Sequence, residues 1–509
     1  MSTSSGSETR TDPPSLAGKA VDPRRRWFAL VVLALAQLMV VLDATIVNIA
    51  LPTAQSDLGF SNDSRQWVVT GYALAFGSLL LLGGRLADFF GRRRLFIIGL
   101  IGFALASALG GFAESLGVLL TARVLQGAFG ALLAPAALSL LSVTFTTAKD
   151  RGRAFGIFSS ISGGGGAIGL LLGGVLTEYA SWRWCLFVNL VIAAIALIGA
   201  AMFLDRDTPA TRPKLDLPGV FTSVLGLVGI VYGLGNTSTH GWTEILTLGP
   251  VIAGAALLVA FVIIERRGSR PLLPMRVVVH RNRGAAYLVV AITGIAMFGI
   301  FLFLTYYITD ILKFTPIETG ASFLPMIVFL IIGATVSGSV LLPKFGPRPI
   351  VPVGAAIAAV GLVLLTRLDF DSSYAAGVLP ALTIIGLGLG MVFGPIQNAA
   401  TSAVETRDSG VASAMVNTAS QLGGSVGTAI LSSFFATAVT TYVSDHAAKA
   451  AGASKAVLAQ VTAEANLAGY HTVFWYAAGF LILGAIIATV IFKSGPLEID
   501  PDADLVVAH

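Results

Sequence analysis

Charge is scarce in this chain. Asp, Glu, Lys and Arg together make up 12% of its 509 residues, about half of the roughly 25% usual in soluble domains. That deficit excludes an ordinary soluble enzyme and a charge-rich disordered chain. The net charge is +5, but the basic residues are spread through short gaps between apolar runs and form no contiguous patch, so no nucleic-acid partner is expected. Cysteine is almost absent. Cys185 stands alone, which excludes a disulfide framework and a thiolate metal site. His240, His280, His446, His471 and His509 read as lying one by one in polar gaps, so no metal site and no cofactor are expected. What the chain has instead is apolar length. It is 55% hydrophobic with 57 glycines, and its mean hydropathy is +0.84.

About 20 apolar residues cross the hydrocarbon core as a helix, and on that measure fourteen runs qualify. No alternating pattern of a barrel strand appears, so the expected fold is an all-α integral membrane protein. Residues 1–26 read as a polar tail. The run that follows Arg24-Arg25-Arg26 is too long for a cleaved signal and is counted as the first span. With the N-terminus inside, 25 of the 32 Lys and Arg fall in inside segments and 6 in outside ones. The positive-inside rule then places both termini in the cytoplasm. The longest polar segment, 437–471, is expected outside and too short to fold alone. Asp43 and Arg123 read as the only acid and base within a span.

The chain carries a faint internal repeat. Leu86, Phe90, Gly91 and Arg93 coincide with Leu341, Phe345, Gly346 and Arg348. Gly165-Gly166 and Gly169 coincide with Gly423-Gly424 and Gly427 at nearly the same offset. Two homologous halves are therefore expected, a six-helix bundle over 27–204 and another over 284–492. A linker with two inserted helices over 205–283 joins them, and a tail follows over 493–509. Parallel repeats of this kind are a transporter signature, with the substrate site between the halves.

Five strings follow in order: Leu42-Asp-Ala-Thr-Ile-Val-Asn48, Gly84-Arg-Leu-Ala-Asp88-Phe-Phe-Gly91-Arg92-Arg93, Arg123 with Gln126 and Gly127, Gly165-x-x-x-Gly169 with Gly173 and Gly174, and Ser181-Trp-Arg-Trp184 with Asn189. Over about 27–492 the chain resembles the major facilitator superfamily, specifically its fourteen-span drug:proton antiporters. The resemblance implies alternating access, proton coupling through Asp43 and Arg123, and a cytoplasmic gating latch at Gly84, Asp88, Gly91, Arg92 and Arg93. Leu170 stands where the antiport motif of that family has proline, and Pro343 replaces the acid of the latch in the second half.

The residues carry part of this unaided. A carboxylate at membrane depth marks an ion path by default, and a buried guanidinium needs a partner, for which Asp43 is the candidate. Gly165, Gly169, Gly173 and Gly174 sit at spacings that let helices approach closely in lipid. The Gly-x-Gly-x-x-Gly at 164–169 has no preceding strand and no acid about 20 residues on, so it is no dinucleotide site. No phosphate-binding loop occurs, and the chain is expected not to be an enzyme. Asn48, Tyr72, Gln126, Tyr306, Gln397, Asn398, Asn417 and Gln421 are candidate cavity residues. The leading expectation is a monomeric exporter of amphipathic or cationic compounds in the cell membrane, driven by protons. An uptake symporter and a non-transporting membrane sensor are the alternatives.

Overall fold

The computed structural model describes residues 23–145, 148–205, 216–268, 272–273, 275–401, 409–446 and 454–495, and among these there is no strand. Fourteen long helices follow one another. In the first half these are α1 (Pro23–Leu58), α2 (Asn62–Phe90), α3 (Arg92–Gly111), α4 (Leu116–Thr144), α5 (Ala148–Tyr179) and α6 (Trp184–Phe203). Next come α7 (Leu217–His240) and α8 (Ile245–Arg267). The second half holds α9 (Arg281–Asp310), α10 (Pro316–Phe345), α11 (Pro347–Leu365), α12 (Tyr374–Ala400), α13 (Ser409–Asp445) and α14 (Lys455–Ile491). Among the described residues, 13 helices are long and apolar enough to cross a membrane, and Gly165–Tyr179 of α5 is a shorter apolar stretch. Large apolar side chains such as Phe112, Ile198, Ile252 and Val490 are exposed on the outside of the bundle, as lipid requires.

The halves repeat each other in packing. The pairs α2–α4, α3–α4, α1–α5, α1–α6 and α3–α6 recur as α10–α12, α11–α12, α9–α13, α9–α14 and α11–α14. The short sequence echo has physical reasons. Gly91 and Gly346 take φ of 93° and 71°, the left-handed region that glycine enters without a Cβ penalty, and each makes the tight turn to the next helix. Two residues on, Arg93 donates to the carbonyls of Ala200 and Ala201 at the end of α6. Arg348 donates in the same way to the carbonyl of Thr489 near the end of α14. Each guanidinium donates to carbonyls of the last turns of a helix and complements its dipole.

Two glycine rows bring helices together. A side-chain carbon at Gly165 would touch Leu38 and Val41 of α1, and one at Gly173 would touch Ile46. In the second half Gly423 and Gly427 lie against Ala291 and Ile295 of α9 in the same fashion. The α7–α8 hairpin packs on α2 and α13, with Trp67 beside Tyr232 and Trp242 beside Phe434, each ring pair 6.1 Å apart. It thus lies along a seam where the two halves meet.

Three expectations need correction. Residues 437–471 are no extended polar segment, because α13 runs to Asp445 and α14 starts at Lys455. Alanine has the highest helix propensity, so this Ala-rich stretch continues both helices beyond the apolar window. His471 accordingly stands inside α14, facing the carbonyl of Leu368, and not in a gap. Asp43 and Arg123 are also not the only span charges. Arg65 in α2 and Glu265 in α8 are buried as well; both fall within a turn of a helix end, where a hydropathy boundary cuts them off.

Candidate functional site

Call the end of the bundle that holds Pro23 and Ile491 the terminal end, and the opposite one the distal end. Asp43 lies on α1 past its midpoint towards the distal end, and Arg123 lies two turns into α4 from the distal side. Antiparallel helices therefore bring them to one level. Arg123 Nη1 donates to Asp43 Oδ2 at 2.6 Å, with both side chains essentially inaccessible. The second carboxylate oxygen, Oδ1, accepts from Gln126 Nε2 at 2.8 Å and from Asn189 Nδ2 at 2.7 Å. Gln126 Oε1 returns to Arg123 Nη1 at 2.9 Å, and its amide also reaches Ser107 Oγ at 2.7 Å. Arg123 Nε donates to the carbonyl of Val68 at 3.2 Å. The guanidinium carbon sits 4.4 Å from the ring centre of Tyr72, whose hydroxyl donates to the Val40 carbonyl.

Every group facing Asp43 is a donor. An ionised carboxylate accepts only, whereas a protonated one must also donate. All three hydrogen bonds to Asp43 use it as an acceptor, on both of its oxygens. Both charges are buried, and the small cavity lined by Val47, Ala50, Val68 and Leu186 offers only apolar side chains.

This network joins α1, α2, α3, α4 and α6, all in the first half. Of the sequence candidates it gathers Asp43, Arg123, Gln126 and Tyr72. Asn48 is buried but returns its amide to the Ala44 carbonyl of its own helix. Tyr306 lies elsewhere, at the distal seam, with its hydroxyl donating to Gln55 Oε1 at 2.7 Å. Gln397, Asn398 and Asn417 are exposed. Gln421 stands at the α2–α13 contact, where a side-chain carbon at Gly77 would come within 3.1 Å of it. Gly84 and Arg92 are half-buried where α2 turns into α3; the side chain of Asp88 lies outside the described residues. Gly169 faces Leu42 and Thr45, whereas Gly174 faces Pro316 and Ile317 of α10 in the other half.

Two network members were not among the sequence candidates. Asn189 belongs to a recognised string and is polar deep in a span, which is a usable signal. Ser107 sits in a run of glycine and alanine and looks like any small packing residue. Glu265, also missed, accepts from the backbone amide of Leu273 at 3.0 Å and so holds the chain that follows α8.

Comparison with known proteins places this arrangement. The Major Facilitator Superfamily matches residues 33–428. The puromycin resistance protein pur8 of Streptomyces alboniger is 47% identical over 94% of both chains. The cephamycin export protein CmcT of Amycolatopsis lactamdurans is 39% identical over 79% of this chain and 84% of its own. The tetracenomycin C resistance and export protein of Streptomyces glaucescens is 33% identical over 87% and 82%. Among solved structures, a bacterial homologue of the human lysosomal transporter Spinster shares the fold at a TM-score of 0.64 and 16% identity, over 92% of this chain and 97% of its own. The pseudo-symmetric halves, the helix count and these relatives agree: the chain belongs to the major facilitator superfamily of multi-pass membrane transporters.

Proposed function

We propose that this transporter exports an amphipathic, antibiotic-like compound across the cytoplasmic membrane in exchange for protons, with Asp43 as the proton-carrying group and both termini in the cytoplasm. The observation that carries the reading is the Asp43 carboxylate, sealed from water and held by Arg123, Gln126 and Asn189. Burying a carboxylate and a guanidinium costs several kcal/mol per ion before their attraction is counted, and a hydrophobic pair would pack as well. A role in which the carboxylate changes charge accounts for its presence. The direction of transport is supported by the three relatives, of which one is named for export, one for resistance and one for both. The first test is expression in a drug-sensitive host over a panel that includes puromycin. Lower accumulation, restored to the control level by a protonophore, is the expected result. Raised uptake, or no change for any compound, would reject export.

The orientation is checked by labelling. In a Cys185→Ser background, single cysteines at Thr239 and Ser454 should react with a membrane-impermeant reagent in intact cells, and those at Ser269 and Thr406 should not. Labelling of S269C from outside would overturn the topology.

A latch role for Asp88 rests on its position at the turn between α2 and α3. Asp88→Asn removes a charge with little change of shape, and we expect turnover to fall about tenfold, or roughly 1.4 kcal/mol of barrier, with normal yield of folded protein. Transport at the parent rate would make Asp88 an ordinary residue of the last turn of α2. Arg93 caps α6, so Arg93→Gln should instead lower stability.

A further inference from the structure

Arg65 is absent from the proposed coupling site, yet it is buried almost as fully as Asp43 and Arg123. It lies one turn into α2, 3% exposed, and no carboxylate stands within ion-pair distance of it among the described residues. Its guanidinium carbon sits 3.7 Å from the ring centre of Tyr306, 5.3 Å from that of Phe435 and 5.8 Å from that of Phe303. All three rings belong to the other half, on α9 and α13. A π-helical turn at Ile300–Leu304, a feature frequent at functional sites, carries Phe303 and sets the rotation of the helix just before Tyr306. The Tyr306 hydroxyl reaches back to Gln55 on α1. Nearby, Ile317 N donates to Glu178 Oε2 at 3.0 Å, so α10 and α5 also touch at this end. The distal ends of the two halves are closed on each other, and Arg65 is the cation inside the closure. Asp310, exposed at the end of α9, acts on Arg65 electrostatically, as Lys313 acts on Asp310.

We propose that Arg65 is a positioning residue of the transport cycle: its aromatic cage locks the distal face, and one stripe of α2 ties that lock to the Asp43–Arg123 pair. The stripe is Arg65, Val68 and Tyr72, at i, i+3 and i+7 and hence on one face of the helix. Val68 lends its carbonyl to Arg123, and Tyr72 lends its ring. A movement of the first two turns of α2 therefore alters the cage and the surroundings of Arg123 together. The cage also suits a lock that must open. A desolvated cation is released from an aromatic face more readily than from a buried ion pair, where withdrawing one partner strands a charge. Arg65 Nη2 has no hydrogen-bond partner while closed, and water regains it as the rings move away.

The proposal rests on the exporter reading for its cycle, but its test reads conformation and not transport. Spin labels on cysteines at Glu114 and Asp371, both exposed distal-loop positions on opposite halves, report the opening in the Cys185→Ser protein. The parent should show mainly the short distance. Arg65→Gln and Tyr306→Leu should each raise the long-distance population at least several-fold. Tyr306→Phe, which keeps the ring but loses the bond to Gln55, should fall between parent and Tyr306→Leu, and Arg65→Lys between parent and Arg65→Gln. Asp43→Asn should change the distribution in the parent and change it markedly less in Arg65→Gln. An unchanged distribution in Arg65→Gln overturns the lock. An unchanged distribution in Tyr306→Leu does so too if the arginine variant cannot be purified. An Asp43→Asn effect of equal size in both backgrounds overturns the link through α2. Failure of export with these shifts intact would reject the exporter reading alone.

Discussion

Asp43→Asn should abolish drug-dependent proton movement in proteoliposomes while leaving binding of a neutral drug measurable. The substituted amide keeps the shape of the carboxylate but neither its charge nor a site for a proton. It also turns an NH2 group into a cluster already made of donors, namely Arg123 Nη1, Gln126 Nε2 and Asn189 Nδ2. Breaking a buried pair by removing one partner costs about 3–5 kcal/mol, so part of any loss could come from instability. A second variant separates the two effects. Asp43→Asn combined with Arg123→Gln removes both charges, and it should recover folded yield without recovering proton exchange. Arg123→Lys keeps the charge and loses the planar fork that reaches Asp43, Gln126 and Val68 at once. It should therefore be impaired less than Arg123→Ala. Full proton-coupled export by Asp43→Asn would remove this carboxylate from the mechanism.

The helical membrane fold was legible because lipid imposes one rule on every span, and the apolar runs record it. The Asp43–Arg123 pair was legible for a related reason: few charges enter the spans, and opposite charges seek each other. The partners that complete the site were harder to read. Ser107 is polar only by one hydroxyl and sits among glycine and alanine, where size explains it equally well. Arg65 escaped because its cage is built from Phe303, Tyr306 and Phe435, more than 200 residues away in the chain. Aromatic residues in spans ordinarily face lipid or core, and nothing local marks three that converge on a cation. Tyr306 reads as a cavity residue on its chemistry, and in the structure its hydroxyl meets Gln55 at the distal seam. Side-chain chemistry is written in the sequence, whereas the neighbour it meets is set by how the halves pack.

The glycine repeat was legible as spacing, and the structure turns it into the second large effect. Gly423→Val should lower the yield of monodisperse protein by tenfold or more, and Gly83→Val should do the same. A Cβ at Gly423 would lie 1.9 Å from the carbonyl oxygen of Ala291 on α9, and one at Gly83 would lie 2.0 Å from that of Ala131 on α4. In both cases the obstacle is backbone, which no rotamer change can move, so the paired helices must separate along their length. Overpacking typically costs about 1–3 kcal/mol where side chains absorb it, and here the strain falls on the packing of whole helices. In lipid that packing is the main force holding helices together, since lipid tails are as apolar as the side chains. Gly479 provides the control. It lies on the exposed side of α14 with no atom within 4 Å of an added Cβ, and Gly479→Val should match the parent in yield on size-exclusion chromatography. Gly169 tests whether the row serves motion as well as packing. Its added carbon would meet Thr45 Oγ1 at 2.1 Å but the Leu42 carbonyl only at 3.0 Å, and the Thr45 side chain has other rotamers. Gly169→Ala should therefore fold, and any slowing of transport in that folded variant measures how much the α1–α5 contact must slide during the cycle. Transport at the parent rate would show that the glycines on α5 set the distance between helices and nothing more.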